Sequence, residues 1–126
     1  MSKPALSLFV FGLYLVGMGT GFVAMPNVVL GLFGLPATSE VWIRVVGLLA
    51  LLLAFYYIQS ARTDLRPMIE WSVPARIAAF LFFVLFVVAG WGSPILILFG
   101  AVDLLAALWT AWTLRVEKRR AVSVAR

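Results

Sequence analysis

The run Ile95 to Leu114, ILILFGAVDLLAALWTAWTL, is twenty residues long and carries one charge, Asp103, near its middle. A carboxylate at that position is too far from either end of the run to sit in a solvated turn. If the run crosses a bilayer, the acid needs a partner or a polar cavity at membrane depth, because an isolated charge there is costly. Composition makes the membrane reading firm. Apolar residues make up 64% of the 126-residue chain and charged residues 12%. A soluble domain is roughly half apolar and about a quarter charged, so this chain cannot build a water-facing surface. Length predicts one domain.

With neither Cys nor His in the chain, disulfides, thiol redox chemistry, the usual zinc and copper sites and His-based catalysis are excluded. No phosphate-binding glycine loop, nucleophile elbow, paired carboxylates or metal-ligand spacing is present. The chain is therefore not expected to be an enzyme, to hold a metal or to need a cofactor.

Four apolar runs predict four membrane-spanning helices, over about 6–25, 41–61, 73–91 and 95–114, each near the roughly 20 residues that a helix needs to cross a bilayer. A cleaved signal peptide is the competing reading of the first run, but the sequence after it stays hydrophobic. Gly17 and Gly21 form a small-xxx-small pair that would let another helix approach. Pro26-Asn27 breaks the first helix. VVLGLFGLP, ending at Pro36, is too short to span and reads as an interfacial or partly re-entrant segment. Thr38 or Ser39 can cap the second span. Pro67 ends helical continuation after the polar connector 62–67, Met68 to Trp71 can lie along the interface, Ser72 can cap the third span, and Pro74 fits its first turn. Gly92-Ser93-Pro94 predicts a tight antiparallel link, with Gly ending one helix and Ser capping the next. Residues 115–126 form a basic tail. The fold expected is an all-α four-helix membrane bundle.

Of the ten basic residues, nine (Lys3, Arg62, Arg66, Arg76, Arg115, Lys118, Arg119, Arg120 and Arg126) fall on one side of such a bundle and Arg44 on the other. That asymmetry predicts both termini in the cytoplasm. Trp42 and Trp91 then lie at the outer interface and Trp71, Trp109 and Trp112 towards the inner one. The net charge of +5 is thus explained by membrane topology, and nucleic acid is not an expected partner. Arg115, Lys118, Arg119 and Arg120 would meet anionic lipid headgroups, at about 1 kcal/mol each.

Arg44 is the expected partner of Asp103. It lies one turn inside the second span, Asp103 lies about 13 Å below the outer end of the fourth at ~1.5 Å per residue, and Asp103 leans outward towards it. Glu40, four residues before Arg44, is a further acidic partner. Arg76 is the rival, disfavoured because it leans towards the cytoplasm. The pair would either pin two helices or face a small polar cavity used by a ligand or proton. Gly100, Ala106, Ala107 and Thr110 share the face of Asp103. Tyr56, Tyr57, Gln59 and Trp109 are further candidates for a pocket lining, or interface anchors.

The succession PNVVLGLFGLP, EVWIRVVGLLALLLAFYYIQSAR, SVPARIAAFLFF and PILILFGAVDLLAALWTAWTLR resembles the small four-helix bacterial membrane proteins of the DoxX-like superfamily, over nearly the whole chain. The resemblance implies an inner-membrane bundle in which the positions of Arg44, Tyr56, Tyr57, Arg76, Asp103 and Trp109 are the recurring polar and aromatic ones. It also implies links to sulfur or thiol redox partners, or to the assembly of other membrane proteins. The absence of Cys departs from a thiol relay. Three functions remain open: an accessory factor for a membrane partner, as a heteromer or homo-oligomer; a small transporter or binding protein for a lipophilic or cationic ligand; and a quinone-using subunit of a partner enzyme. Small multidrug exporters look to carry their essential acid in the first helix, which here has none.

Overall fold

The computed structural model describes residues 1–125, and Arg126, counted above among the inner basic residues, lies outside them. The chain is all-α. Four helices are long and apolar enough to cross a membrane: α1 (Lys3–Ala24), α3 (Trp42–Arg62), α4 (Arg66–Val88) and α5 (Ile95–Ala125). A seven-residue helix, α2 (Pro26–Leu32), fills the apolar segment after α1.

Local chemistry fixes where these helices begin and end. Ser2 caps α1 by accepting from the Ala5 backbone N–H at 3.2 Å, and Pro4 occupies the first turn, where a missing donor costs nothing. Pro26 starts α2 on the same terms. Three helix ends close alike. After α2, α3 and α4 one residue turns left-handed, at Gly34 (φ 70°), Asp64 (φ 50°) and Gly90 (φ 79°). Paired backbone bonds then return to the last turn, for example Gly90 N–H to Val87 O and Trp91 N–H to Phe86 O. At α4 the Phe86 and Trp91 rings, 6.0 Å apart, add the apolar contact that often accompanies this closure.

Several local expectations are corrected. The glycine that ends α4 is Gly90 rather than Gly92, so the link to α5 runs from Ala89 to Pro94. Helix α4 starts at Arg66 with Pro67 in its first turn, so Met68 to Trp71 are helical. Ser72 is an interior residue of that helix rather than its cap, and Pro74 lies within it. The N-cap of α3 is Val41, without a side-chain bond. Thr38 instead accepts from the Glu40 N–H at 3.1 Å, and its own N–H donates to Asn27 Oδ1 at 2.9 Å. The basic tail is no appendage: α5 continues unbroken to Ala125, 31 residues in all, or about 46 Å at ~1.5 Å per residue.

The broadest contacts are α1 with α3 and α4 with α5. These two pairs meet mainly through α1 and α5, while α3 and α4 share little and α3 with α5 less still. Helices α1 and α3 approach tightly where Gly19 faces Gly47. A Cβ on either would fall 2.8 Å from the other's carbonyl oxygen. This is small-residue packing of the kind that joins membrane helices, but its register differs from the expected one. Gly17 faces open space and Gly21 faces Val29 of α2. The core is concentrated where α1 begins and α3 ends: Ala5, Leu8, Phe11, Tyr57, Ala61 and Ile69 are all buried and packed together. At that end of the molecule Ser2 Oγ donates to Asp64 Oδ1, and Arg66 bridges Asp64 and Glu117 at 3.2 and 2.6 Å.

Candidate functional site: a polar cluster inside the helices

All four long helices send polar or aromatic side chains into the dense half of the molecule. On α1, Ser7, Phe11 and Tyr14 recur at spacings of four and three, which puts them on one helix face. Ser72 and Arg76 do the same on α4, and Asp103 and Thr110, seven apart, on α5. Tyr57 comes from α3.

Arg76 is the centre of the cluster. Only 2% of it is exposed. Its Nε donates to Ser72 O at 3.1 Å, and its Nη2 to Ser72 Oγ at 3.0 Å and Thr110 Oγ1 at 2.9 Å. Its guanidinium carbon stands 4.9 Å from the centroid of the Phe11 ring, a cation–π contact strengthened by burial. Phe11 in turn packs against Tyr14 and Tyr57, with centroids 5.7 and 5.9 Å away. Thr110 Oγ1 and Ser7 Oγ lie 2.7 Å apart, so one hydroxyl of α5 touches both α1 and α4. The pair also reaches Pro4 O and Ala106 O. With one proton on each hydroxyl, only two of these three bonds are donated at a time.

One donor in this cluster is left over. Among the described residues, the only buried side-chain nitrogen or oxygen without a hydrogen-bond partner is Arg76 Nη1. Asp103, on the same face of α5 two turns before Thr110, is half-buried. It forms no ion pair within 4 Å among the described residues, where the two salt bridges are those of Arg66. The buried cation and the half-buried acid thus form no ion pair with each other.

The expected Arg44–Asp103 pair is not formed. Arg44 Nη1 donates to the Val23 carbonyl at the end of α1, a favourable place for a cation because the last helical carbonyls lack partners. The reason is the order of the helices: α3 packs on α1 and hardly meets α5. Glu40 is exposed and makes no ion pair with Arg44. Arg76 leans towards the start of its helix, as geometry requires, but this brings it to Thr110 rather than away from α5.

The residues considered for a pocket lining divide by helix rotation. Tyr57 and Thr110 are buried, whereas Tyr56, Gln59 and Trp109 face outward. Each pair of neighbours is ~100° apart on a helix of 3.6 residues per turn, so Tyr56 and Tyr57 cannot share a face. Arg115, Lys118, Arg119 and Arg120 are exposed, and the first three border an open cleft of about 450 Å³ with Val122 and Ser123. Ser7, Phe11, Tyr14 and Ser72 were not legible as site residues. The signal available was the Ser72/Arg76 spacing, a hydroxyl one turn below a cation on the side to which it leans. Among the described residues no three His, Cys, Asp or Glu side chains gather as a metal site requires.

No protein-family model, curated protein or solved structure matches the chain.

Proposed function

We propose that the chain is a multi-pass protein of the bacterial inner (plasma) membrane. In this reading it is a four-helix bundle with both termini in the cytoplasm, akin to the DoxX-like superfamily. It works without catalysis, as a small binding or transport protein whose site is the interior between Arg76 and Asp103. The observation that carries the reading is the buried Arg76 Nη1 left without a hydrogen-bond partner, in a bundle whose membrane-depth acid, Asp103, also has no ion pair. A pairing device whose purpose is to pin helices gains only when its charges meet, since a buried charge left short of partners is a net cost. Two charges that do not meet in an apolar medium each still call for a partner. Orientation follows from the basic residues at the Lys3, Arg62 and Arg115 ends. Anionic lipid is the surface partner of Arg115, Lys118, Arg119 and Arg120, and nucleic acid is not a partner.

Capture or flux of candidate ligands by the purified protein in vesicles, against Asp103→Asn, tests this. Ligand handling that depends on Asp103 supports it, and handling identical in the variant ends it. The second reading is an accessory factor for a membrane partner. It draws on the unbroken helix of α5 beyond Leu114, a basic arm that could engage another protein. Association with a partner that survives Asp103→Asn and is lost on truncation after Leu114 would favour it.

A further inference from the structure

The exposed face of α5 changes character along its length. Leu105, Leu108, Trp112, Arg115, Arg119 and Val122 follow one another at alternating spacings of three and four, which sets them in a single stripe on the helix. All six are exposed. Up to Trp112 the stripe is apolar, and from Arg115 it is mainly cationic. Lys118 and Ser123 widen it there: Arg115, Lys118, Arg119, Val122 and Ser123 line an open cleft of about 450 Å³. An apolar strip running into a basic cleft on one helix face has the layout of a phospholipid, with its chains in the bilayer and its phosphate at the surface.

The charge in this cleft is unspent. The only acid between Arg115 and Ala125 is Glu117, which lies on the far side of the helix from Arg115 and binds Arg66 at 2.6 Å. Among the described residues Arg115, Lys118 and Arg119 have no ion pair. The three fall within about 6 Å of axial rise, and side chains on a helix lean towards its N-terminus, which directs Lys118 and Arg119 back to the level of Arg115. Three cations stacked so closely along one helix suit a single compact anion of high charge. A phosphomonoester carries about −1.5 to −2 charge at pH 7 and three terminal oxygens, whereas a phosphodiester carries a single charge and fewer free oxygens. Ser123, one turn beyond Arg119, adds a hydroxyl donor at the edge of the cleft.

Resting on the reading of this helix end as a contact for anionic lipid, and independent of the interior site, we propose that α5 carries a binding site for one phosphatidic acid molecule. Its monoester phosphate is held by Arg115, Lys118 and Arg119, and an acyl chain lies along Trp112, Leu108 and Leu105. Native mass spectrometry of the purified full-length protein, released from detergent micelles, measures the affinity for the first bound lipid. The probes are dioleoyl phosphatidic acid, dioleoyl phosphatidylglycerol and dioleoyl phosphatidylcholine, with glycerol 3-phosphate as the headgroup without chains. Phosphatidic acid should bind at least fivefold tighter than phosphatidylglycerol, and phosphatidylcholine more weakly than either. Arg115→Gln, Lys118→Gln and Arg119→Gln should each weaken phosphatidic acid about fivefold. Arg120→Gln removes the same charge ~140° round the helix from Arg115 and should change it less than twofold. All four side chains are exposed, so the variants keep the fold, which circular dichroism checks. Equal binding of phosphatidic acid and phosphatidylglycerol, both weakened by the same substitutions, would overturn the monoester assignment and leave the anionic-lipid contact standing. Displacement of bound phosphatidic acid by millimolar glycerol 3-phosphate would overturn the lipid as occupant. An Arg120→Gln effect as large as the other three would overturn the site in favour of the net charge of the helix end. If binding of neither anionic lipid depends on any of the four residues, the anionic-lipid reading falls with it.

Discussion

Arg76 of α4 donates to Thr110 of α5 through Nη2 at 2.9 Å, and the Thr110 hydroxyl lies 2.7 Å from Ser7 of α1. With 0% of Thr110 exposed, no solvent substitutes for it.

Thr110→Val, which preserves shape, should therefore destabilise the protein by about 1–3 kcal/mol, the usual cost of stranding buried donors. Thr113 makes only a local bond, to Thr110 O, so Thr113→Val should cost under ~1 kcal/mol. Thermal or denaturant unfolding in a mild detergent compares the two.

Gly19 and Gly47 set the spacing of α1 and α3. Gly47→Ala places a methyl 2.8 Å from Gly19 O and from Phe22 Cβ, and neither backbone nor Cβ can swing aside. A loss of about 1–3 kcal/mol is expected from such overpacking. Gly17→Ala meets open space and should stabilise by roughly 0.5–1 kcal/mol through helix propensity. Melting temperatures of the two variants should move in opposite directions.

This contrast shows what the sequence could and could not specify. The four long helices were legible because hydropathy and the prolines at 26, 67 and 94 mark where apolar runs start and stop. Their rotation was not legible. In a soluble helix the polar face marks the outside, but in lipid the outside is apolar too, so Gly17/Gly21 and Gly12/Gly19 look alike until the neighbour is known. Helix order was hidden for the same reason. Depth alone made Arg44 and Asp103 a plausible pair, and only the packing of α3 on α1 separates them. Asp103 stood out because a charge in an apolar run needs no rotational information. Ser7, Ser72 and Tyr14 did not, since single hydroxyls are common in membrane helices and become a site only once Arg76 is seen to gather them.

The Arg66–Glu117 bridge ties the continuation of α5 to the start of α4, with both side chains 36% exposed. Exposed pairs contribute about 0–1 kcal/mol, so Glu117→Gln should barely change global stability. Its effect should be local. Amide exchange should rise across the Arg115 to Ala125 segment and stay unchanged around Arg76, as read by hydrogen–deuterium exchange mass spectrometry.

The basic residues predict that both chain ends face the cytoplasm. A green fluorescent protein fused after the C-terminus should fluoresce, and alkaline phosphatase at the same position should be inactive. The reverse pattern would invert the orientation.

The most direct test of the interior site is a pair of double-mutant cycles on unfolding free energy, since only groups that interact deviate from additivity. Arg76→Gln with Asp103→Asn should show a coupling of at least ~0.5 kcal/mol, while Arg44→Gln with Asp103→Asn should be additive. Additivity for Arg76 together with coupling for Arg44 would contradict the arrangement described and return Asp103 to the α3 side.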